Sequence, residues 1–145
     1  MAVFESKHGI VSRAPYELYM AFVDMRNFVN FLPPDKKEGV TADYDSIHAT
    51  VQGFPIGVKI TERRPYSLIS LADDGAPFSF SAEISFDAAG GDPGKTDFHI
   101  KVEADLNFMM KMLIGSKLKE ALDKAVDSLV EMSEKYPSGY TGPIA

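Results

Sequence analysis

The chain has 145 residues, a length that fits one domain with a single hydrophobic core. Hydrophobic residues make up 45% and charged residues 25%, which is typical of a globular protein and not of a disordered or fibrous one. The net charge of -6 provides no general electrostatic attraction to nucleic acid or to anionic lipid. Nucleic acid is therefore not an expected partner.

The chain contains no cysteine, which excludes disulfides, thiolate metal sites and cysteine nucleophiles. Its start has neither the basic segment nor the apolar segment of a secretory signal. No run of about 18 apolar residues is present, so no stable membrane insertion is expected. These features predict a cytoplasmic protein.

The first part of the chain predicts a strand followed by two short helices. Residues 3–11 alternate in polarity, as in a half-buried strand. Ser12 can cap a helix, residues 14–32 have roughly helical spacing, and Pro33 and Pro34 should end the second helix. The predicted inner face of the strand consists of Phe4, Ser6, His8 and Ile10.

Residues 40–107 alternate with a period of two between turn signals and predict five strands of an antiparallel sheet. One face of this sheet is apolar and should be covered, whereas the other is polar and should be exposed. The apolar positions include Ile56, Val58, Ile60, Phe80, Ala82, Ile84, Phe86, Phe98, Ile100 and Val102. The polar positions include Lys59, Glu83, Lys101 and Glu103.

The last part of the chain, about residues 107–136, predicts one long amphipathic helix. At about 1.5 Å per residue it is about 45 Å long, enough to cross a whole sheet. The tail at residues 138–145 contains turn-forming residues and should be loose, which leaves a single domain at residues 1–137. The predicted apolar stripe of the helix is Leu118, Leu122, Ala125, Leu129, Met132 and Tyr136.

This order of elements, together with three segments, resembles the START/SRPBCC superfamily. The segments are residues 11–24 (VSRAPYELYMAFVD), 51–65 (VQGFPIGVKITERRP) and 113–123 (LIGSKLKEALD), and the resemblance covers about residues 2–135. It implies an α+β helix-grip fold. Such a fold has a curved antiparallel sheet of about six or seven strands, two short helices after the first strand, and a long C-terminal helix packed across the concave face.

The resemblance also implies an apolar cavity between the sheet and the last helix. The many Phe and Met residues are consistent with such a cavity, although the same residues also suit a filled core. His8 is the predicted polar group of the cavity, because it shares a face with Phe4. The other predicted ligand-binding residues are Phe80, Phe98, Ile100, Met109, Met112 and Leu113.

Catalytic and metal-binding patterns are weak. No metal-ligand spacing and no nucleophile motif occurs, so neither a metal nor a cofactor is expected. His48 and His99 occupy the positions of their strands that alternate with the apolar residues, so they should lie on the polar face at the surface. Glu62 and His8 are weak acid–base candidates, with Tyr16, Tyr19 or Tyr66 as partners of Glu62, but an ion pair of Glu62 with a neighbouring cation is the simpler reading.

Three functions remain open from the sequence. The first is a non-catalytic module, monomeric or homodimeric, that binds a small hydrophobic or amphipathic ligand, lipid-like or polyketide-like. The second is a cyclase/dehydrase-like enzyme that uses the same cavity. The third is a protein–protein interaction module whose contact surface lies at the short helices, around Phe28, Phe31 and Leu32.

Overall fold

The computed structural model describes residues 1–31, 34–51 and 53–135. The strands are β1 (Ala2–Glu5), β2 (Gly9–Val11), β3 (Thr41–Ala42), β4 (Ser46–Val51), β5 (Phe54–Arg64), β6 (Leu68–Asp73), β7 (Phe80–Ala89) and β8 (Asp92–Ala104). The helices are α1 (Pro15–Phe22), α2 (Arg26–Phe31), α3 (Pro34–Lys37) and α4 (Phe108–Lys135).

All eight strands belong to one antiparallel sheet with the order β1-β8-β7-β6-β5-β4-β3, and β2 also pairs with β8. The sheet is curved and α4 follows it, so the predicted helix-grip architecture is confirmed. The helices between β2 and β3 differ from the prediction. A third short helix starts at Pro34, where the chain was expected only to break, because proline is well tolerated in the first turn of a helix.

The predicted alternation along the central strands is confirmed. Phe86 pairs with Phe98, and Ile84 pairs with Ile100, on the face that the helices cover. On the other face, Glu83 lies opposite Lys101 and is exposed. The covered face therefore forms the core, and the polar face lies towards solvent.

Helix α1 lies over one half of the covered face. Its Leu18 and Tyr19 are buried, and the Phe22 ring lies 5.7 Å from that of Phe86 and 5.6 Å from that of Phe98. These offset and tilted contacts are the favourable geometry for aromatic packing. This half of the sheet contains the aromatic part of the core.

Helix α4 packs along the edge of the sheet, with its main contacts to β1, β2 and β8. Val126 is fully buried, and a Cβ atom at Gly9 would lie only 2.5 Å from Cγ1 of Val126 and 2.8 Å from Cγ2 of Val130. The close approach of α4 to β2 therefore requires glycine at this position. The predicted stripe is displaced by one residue here, since Val126 is buried whereas Ala125 is exposed.

A β-bulge separates β1 from β2 and corrects the prediction for the first strand. Glu5 pairs with Lys101 and Gly9 pairs with Phe98. The segment from Glu5 to Gly9 is therefore one residue longer than the segment of β8 opposite it. The Ser6 hydroxyl accepts a hydrogen bond from the amide of Ile100 at 2.9 Å and so satisfies the backbone at the bulge. Because one extra residue reverses the faces, the side chains after the bulge point the opposite way from the prediction.

The extra residue at the bulge, Lys7, is held by α4. Its amide donates a hydrogen bond to Asp123 at 2.6 Å, and its Nζ lies 2.6 Å from the Asp127 carboxylate. The hydrogen bond with Asp127 raises the pKa of Lys7 above its usual value. The bulge and the helix therefore stabilise each other.

A second irregularity lies in β5. Ile60 pairs with Leu71, but Glu62 pairs with Ser70, so the register shifts at this point. As a result Arg63, opposite the buried Ile69, lies on the covered side, where its guanidinium donates hydrogen bonds to two backbone carbonyls, those of Val23 and Tyr44. It also pairs with Asp45 at 2.9 Å. Arg63 thereby links the α1–α2 connection to the turn before β4.

Three predictions concern residues or side chains that the structure does not describe. These are the last stripe residue Tyr136, the loose tail at residues 138–145, and the contribution of Phe31 and Leu32 to an apolar surface. They stay predictions.

Candidate functional site

The half of the covered face that α1 leaves free carries a continuous apolar row across five strands. The register places Ile60 opposite Leu71, Leu71 opposite Ala82, Ala82 opposite Val102, and Val102 opposite Phe4. At about 4.8 Å per strand the row spans about 19 Å. Leu71 belongs to the buried core and Ile60 and Ala82 pack against it, but all the side chains of the row except Leu71 are only half-buried. We call it the apolar groove.

Helix α4 borders the groove at its β1 end. Gly115 is buried there, and an added Cβ would make an ordinary contact with the Phe4 ring at 3.5 Å. Leu118 and Leu122 are half-buried and share a stripe of the helix with Leu129, which packs against the core. The helix therefore presents leucine side chains to the groove.

One polar group reaches this face, and the sequence reasoning missed it. Asp73 lies opposite Val58 at the end of β6, on the same face as Leu71. One of its carboxylate oxygens accepts a hydrogen bond from the amide of Phe80 at 3.0 Å, and no partner is found for the other oxygen among the described residues. The two-residue period of Ile69, Leu71 and Asp73 is the signal that could have identified it.

His8 lies on the opposite face from the one predicted. Its ring stacks on His99 with centroids 4.2 Å apart, and Nδ1 lies 2.9 Å from the Asp97 carboxylate. The side chain is 59% exposed. The bulge at Lys7 is the cause, because it turns His8 towards the polar face. His8 therefore cannot orient a ligand in the groove, and this prediction is corrected.

The predicted sheet residues of the cavity occupy different environments. Phe98 is 1% exposed and lies within the aromatic packing under α1, so it is part of the filled core. Ile100 and Phe80 lie on the predicted face of the sheet and are half-buried. Of these three, Ile100 and Phe80 lie next to the apolar groove, and a ligand-binding role for them stays a prediction.

Two of the three predicted helix residues of the cavity, Met109 and Leu113, point away from it. Met109 lies nine residues before Leu118, and Leu113 lies nine residues before Leu122, a spacing of about two and a half turns that places each pair on opposite sides of the helix. Met109, Met112 and Leu113 are 64–70% exposed. The first turns of α4 have apolar residues on several sides, so the pattern gave no direction, and the predictions for Met109 and Leu113 are corrected. Met112 lies three residues before Gly115, on the side of α4 that contacts Phe4, and its ligand-binding role stays a prediction.

The acid–base candidate Glu62 also lies on the polar face, because the irregularity in β5 reverses its direction. It is exposed and pairs with Arg64 at 3.0 Å. Tyr19 is buried in the core, with Tyr66 edge-on to it at 5.5 Å. The structure does not bring Glu62 and His8 together, since their strands, β5 and the β1–β2 edge, are four strand spacings or about 19 Å apart.

A shallow depression lies at the other edge of the sheet, lined by Thr41, Ala42, Asp43, Ser46 and His48. Hydrogen bonds from Ser46 and from the amide of Asp45 lower the pKa of Asp43, which closes this turn. His48 is exposed, as predicted, and its Nε2 lies 2.8 Å from Asp74. Within the described ranges no group of three acidic or histidine side chains is arranged to hold a metal ion.

Of the three residues named for a contact surface at the short helices, the structure describes the side chain of Phe28. Phe28 is half-buried, and its ring lies 5.2 Å from that of Phe22. It is therefore part of the packing around the core and not an exposed contact residue.

Solved structures of other proteins match this chain over most of its length. Norcoclaurine synthase from Thalictrum flavum matches with a TM-score of 0.66 and 12% identity, covering 93% of this chain and 87% of that one. A START superfamily protein from Mycobacterium smegmatis matches with a TM-score of 0.59 and 16% identity, covering 90% and 97%. The chain has the fold of the START/SRPBCC superfamily. A Thermobifida fusca protein with a TM-score of 0.71 and 10% identity shares this fold, with 98% and 99% covered.

At these identities the likeness to START/SRPBCC structures establishes the fold alone. No protein-family model matches the sequence, and no curated protein matches it. In the part of the chain that the structure describes, no helix is both long and apolar enough to cross a membrane. Function must therefore be argued from the groove and the surface.

Proposed function

We propose that this protein binds a small hydrophobic or amphipathic ligand in the apolar groove, between the covered face of the sheet and α4. The observation that supports the proposal is the row from Ile60 to Phe4, whose side chains other than Leu71 stay half-buried beside the filled part of the same face. A ligand lying along this row would remove that surface from water, at about 25 cal/mol for each Å² of apolar area.

The groove favours a ligand with one polar group at one end. Asp73 has an oxygen available, and a carboxylate accepts hydrogen bonds from hydroxyl, amide or ammonium donors. The remaining groove residues are aliphatic or aromatic. The proposed ligand class is therefore an elongated apolar molecule with a hydrogen-bond donor at one end.

Catalysis in the same groove is the alternative function. A cyclase/dehydrase-like mechanism requires at least two titratable groups facing the ligand. The two predicted from the sequence, His8 and Glu62, face away from it, and Arg63 already donates to Val23 and Tyr44. This distribution of charged groups favours binding without catalysis.

Filling the groove tests the proposal. Ala82→Trp places an indole in the middle of the row, whereas Ser81→Trp places the same side chain one residue earlier on the polar face. An apolar fluorescent probe should bind to the wild type and to Ser81→Trp and should lose binding to Ala82→Trp. Circular dichroism of both variants checks that each is folded.

Native mass spectrometry of the protein purified from its host supplies the second measurement. A co-purifying small molecule that is absent from Ala82→Trp would support the proposal. Equal probe binding by both tryptophan variants, with no co-purifying molecule, would overturn it.

A further inference from the structure

Asp73 is an acidic side chain in an apolar part of the covered face. Val58 lies opposite it on β5, and Leu71 is the preceding residue of β6 on the same face. Phe80 is on the neighbouring strand β7, and its amide donates the hydrogen bond that one carboxylate oxygen of Asp73 accepts. Two residues of a strand span about 7 Å, so the carboxylate lies directly beside the apolar groove at Leu71.

The charge of Asp73 has no compensating cation among the residues that the structure describes. Arg63 is also on the covered side, but it lies opposite Ile69, about 14 Å along β6 from Asp73, and binds two backbone carbonyls and another carboxylate. The next residue, Asp74, provides a contrast, since it lies on the polar face and pairs with His48 at 2.8 Å. Asp73 is therefore an uncompensated carboxylate at the groove.

A ligand that lies in the groove and covers Asp73 removes the carboxylate from water. This loss of hydration is costly unless the ligand supplies both an opposite charge and a hydrogen-bond donor. A protonated amine supplies both, a hydroxyl supplies only the donor, and a carboxylate adds a repulsive charge. The net charge of -6 acts in the same direction, because it attracts cations and repels anions.

Resting on the function proposed for the groove, we propose that its ligand is a cationic amphiphile, an elongated apolar molecule that ends in a protonated amine, and that Asp73 selects it. The ammonium group donates to the carboxylate oxygen that Phe80 leaves available, and the apolar chain lies along the row towards Phe4. Molecules of the same shape that end in a carboxylate, such as fatty acids, are rejected.

The competing arrangement is an anionic ligand held at the other end of the groove. Lys111 lies there, because a Cβ atom at Gly115 would lie 3.8 Å from Cγ of Lys111 and 3.5 Å from the Phe4 ring. This end, at β1, is three strand spacings or about 14 Å from β6 and Asp73. The two arrangements predict opposite preferences for the head group of the ligand.

Competition by three molecules that share a chain and differ in head group tests the proposal. Dodecylamine, dodecanol and dodecanoate are each titrated at about pH 7, where the amine is protonated, against the apolar fluorescent probe bound to the full chain. The wild type should bind dodecylamine about tenfold more tightly than dodecanoate, with dodecanol between them. Asp73→Asn should remove most of this preference, since the amide oxygen still accepts from Phe80 but carries no charge.

Asp74→Asn is the matched control, because it removes the same charge from the adjacent residue on the polar face. It should keep the preference for the amine, and circular dichroism checks that both variants are folded. Equal binding of the three molecules by the wild type, or tightest binding of dodecanoate, would overturn the proposal and leave the groove as a binding site.

An equal loss of preference in Asp73→Asn and Asp74→Asn would also overturn the proposal, because net charge would then be the cause. If none of the three molecules displaces the probe, the function proposed for the groove fails together with this one. That result is distinguishable from equal binding, which contradicts the role of Asp73 alone.

Discussion

Replacing Gly9 by alanine should loosen the attachment of α4 to the sheet. The added Cβ would lie 2.5 Å from Cγ1 of Val126 and 2.8 Å from Cγ2 of Val130, closer than Cβ atoms approach in real structures. Both contacts are with branched side chains near the helix backbone, so either the helix or the strand must move. Overpacking of this kind costs about 1–3 kcal/mol.

Gly115→Ala is the matched control on the same helix, and it should change stability in the opposite direction. Its added Cβ would lie 3.5 Å from the Phe4 ring, an ordinary van der Waals distance. Alanine is favoured over glycine inside a helix by about 0.8–1.0 kcal/mol. The same substitution should therefore destabilise the protein at one contact point of α4 and stabilise it at the other.

Urea unfolding followed by circular dichroism measures both effects, and a cost of about 2 kcal/mol lowers the midpoint by about 1 M. Val126→Ala should partly rescue Gly9→Ala, so that the double variant is more stable than the sum of the single effects by about 0.5–3 kcal/mol. Additive effects, or a Gly9→Ala variant as stable as the wild type, would show that α4 does not pack on β2 as described.

Three further predictions concern the core, the Arg63 contacts and acid stability. Phe98→Ala should cost about 3–5 kcal/mol in urea melts, as expected of a core residue, whereas a cost below about 1 kcal/mol would favour a place in an open cavity. Arg63→Gln should cost about 1–3 kcal/mol because it removes two charge-assisted hydrogen bonds to backbone carbonyls, one of them partly buried, and Arg64→Gln should cost much less. Hydrogen bonds from the Lys119 side chain and from the backbone amide of Lys7 lower the pKa of Asp123. The ionised carboxylate therefore stabilises the fold above about pH 4, and this contribution is lost as the pH falls through the folded-state pKa. Stability measured from about pH 5 down to pH 2 should therefore fall less steeply in Asp123→Asn; an unchanged slope would contradict this reasoning.

The architecture was predictable because the strands from β6 to β8 have a regular two-residue period and one buried face. The pairs Ile84 with Ile100 and Phe86 with Phe98 follow directly from that period. The length of α4 was equally predictable from its repeated apolar positions. In these elements the local pattern and the tertiary packing agree.

The site residues were harder to predict because a single extra residue in a strand moves every later side chain of that strand to the opposite face of the sheet. This happened at Lys7, before His8, and again in β5, before Glu62. Nothing in the local sequence marks either irregularity. The one at Lys7 is held by hydrogen bonds to a distant strand and a distant helix. The outward direction of Met109 and Leu113 was unpredictable for another reason, because apolar residues lie on several sides of the helix at that point.

The bulge at Lys7 also affects how the sheet edge behaves towards other molecules. An uninterrupted outer strand would present a row of free amide and carbonyl groups on which a second chain could pair and start an aggregate. Here the row is broken, and a lysine occupies the break with its ammonium group held by Asp127. At the opposite edge, β3 has only two residues. Both borders of the sheet therefore oppose strand addition, which leaves the apolar surfaces of the protein free for association with little risk of fibril growth.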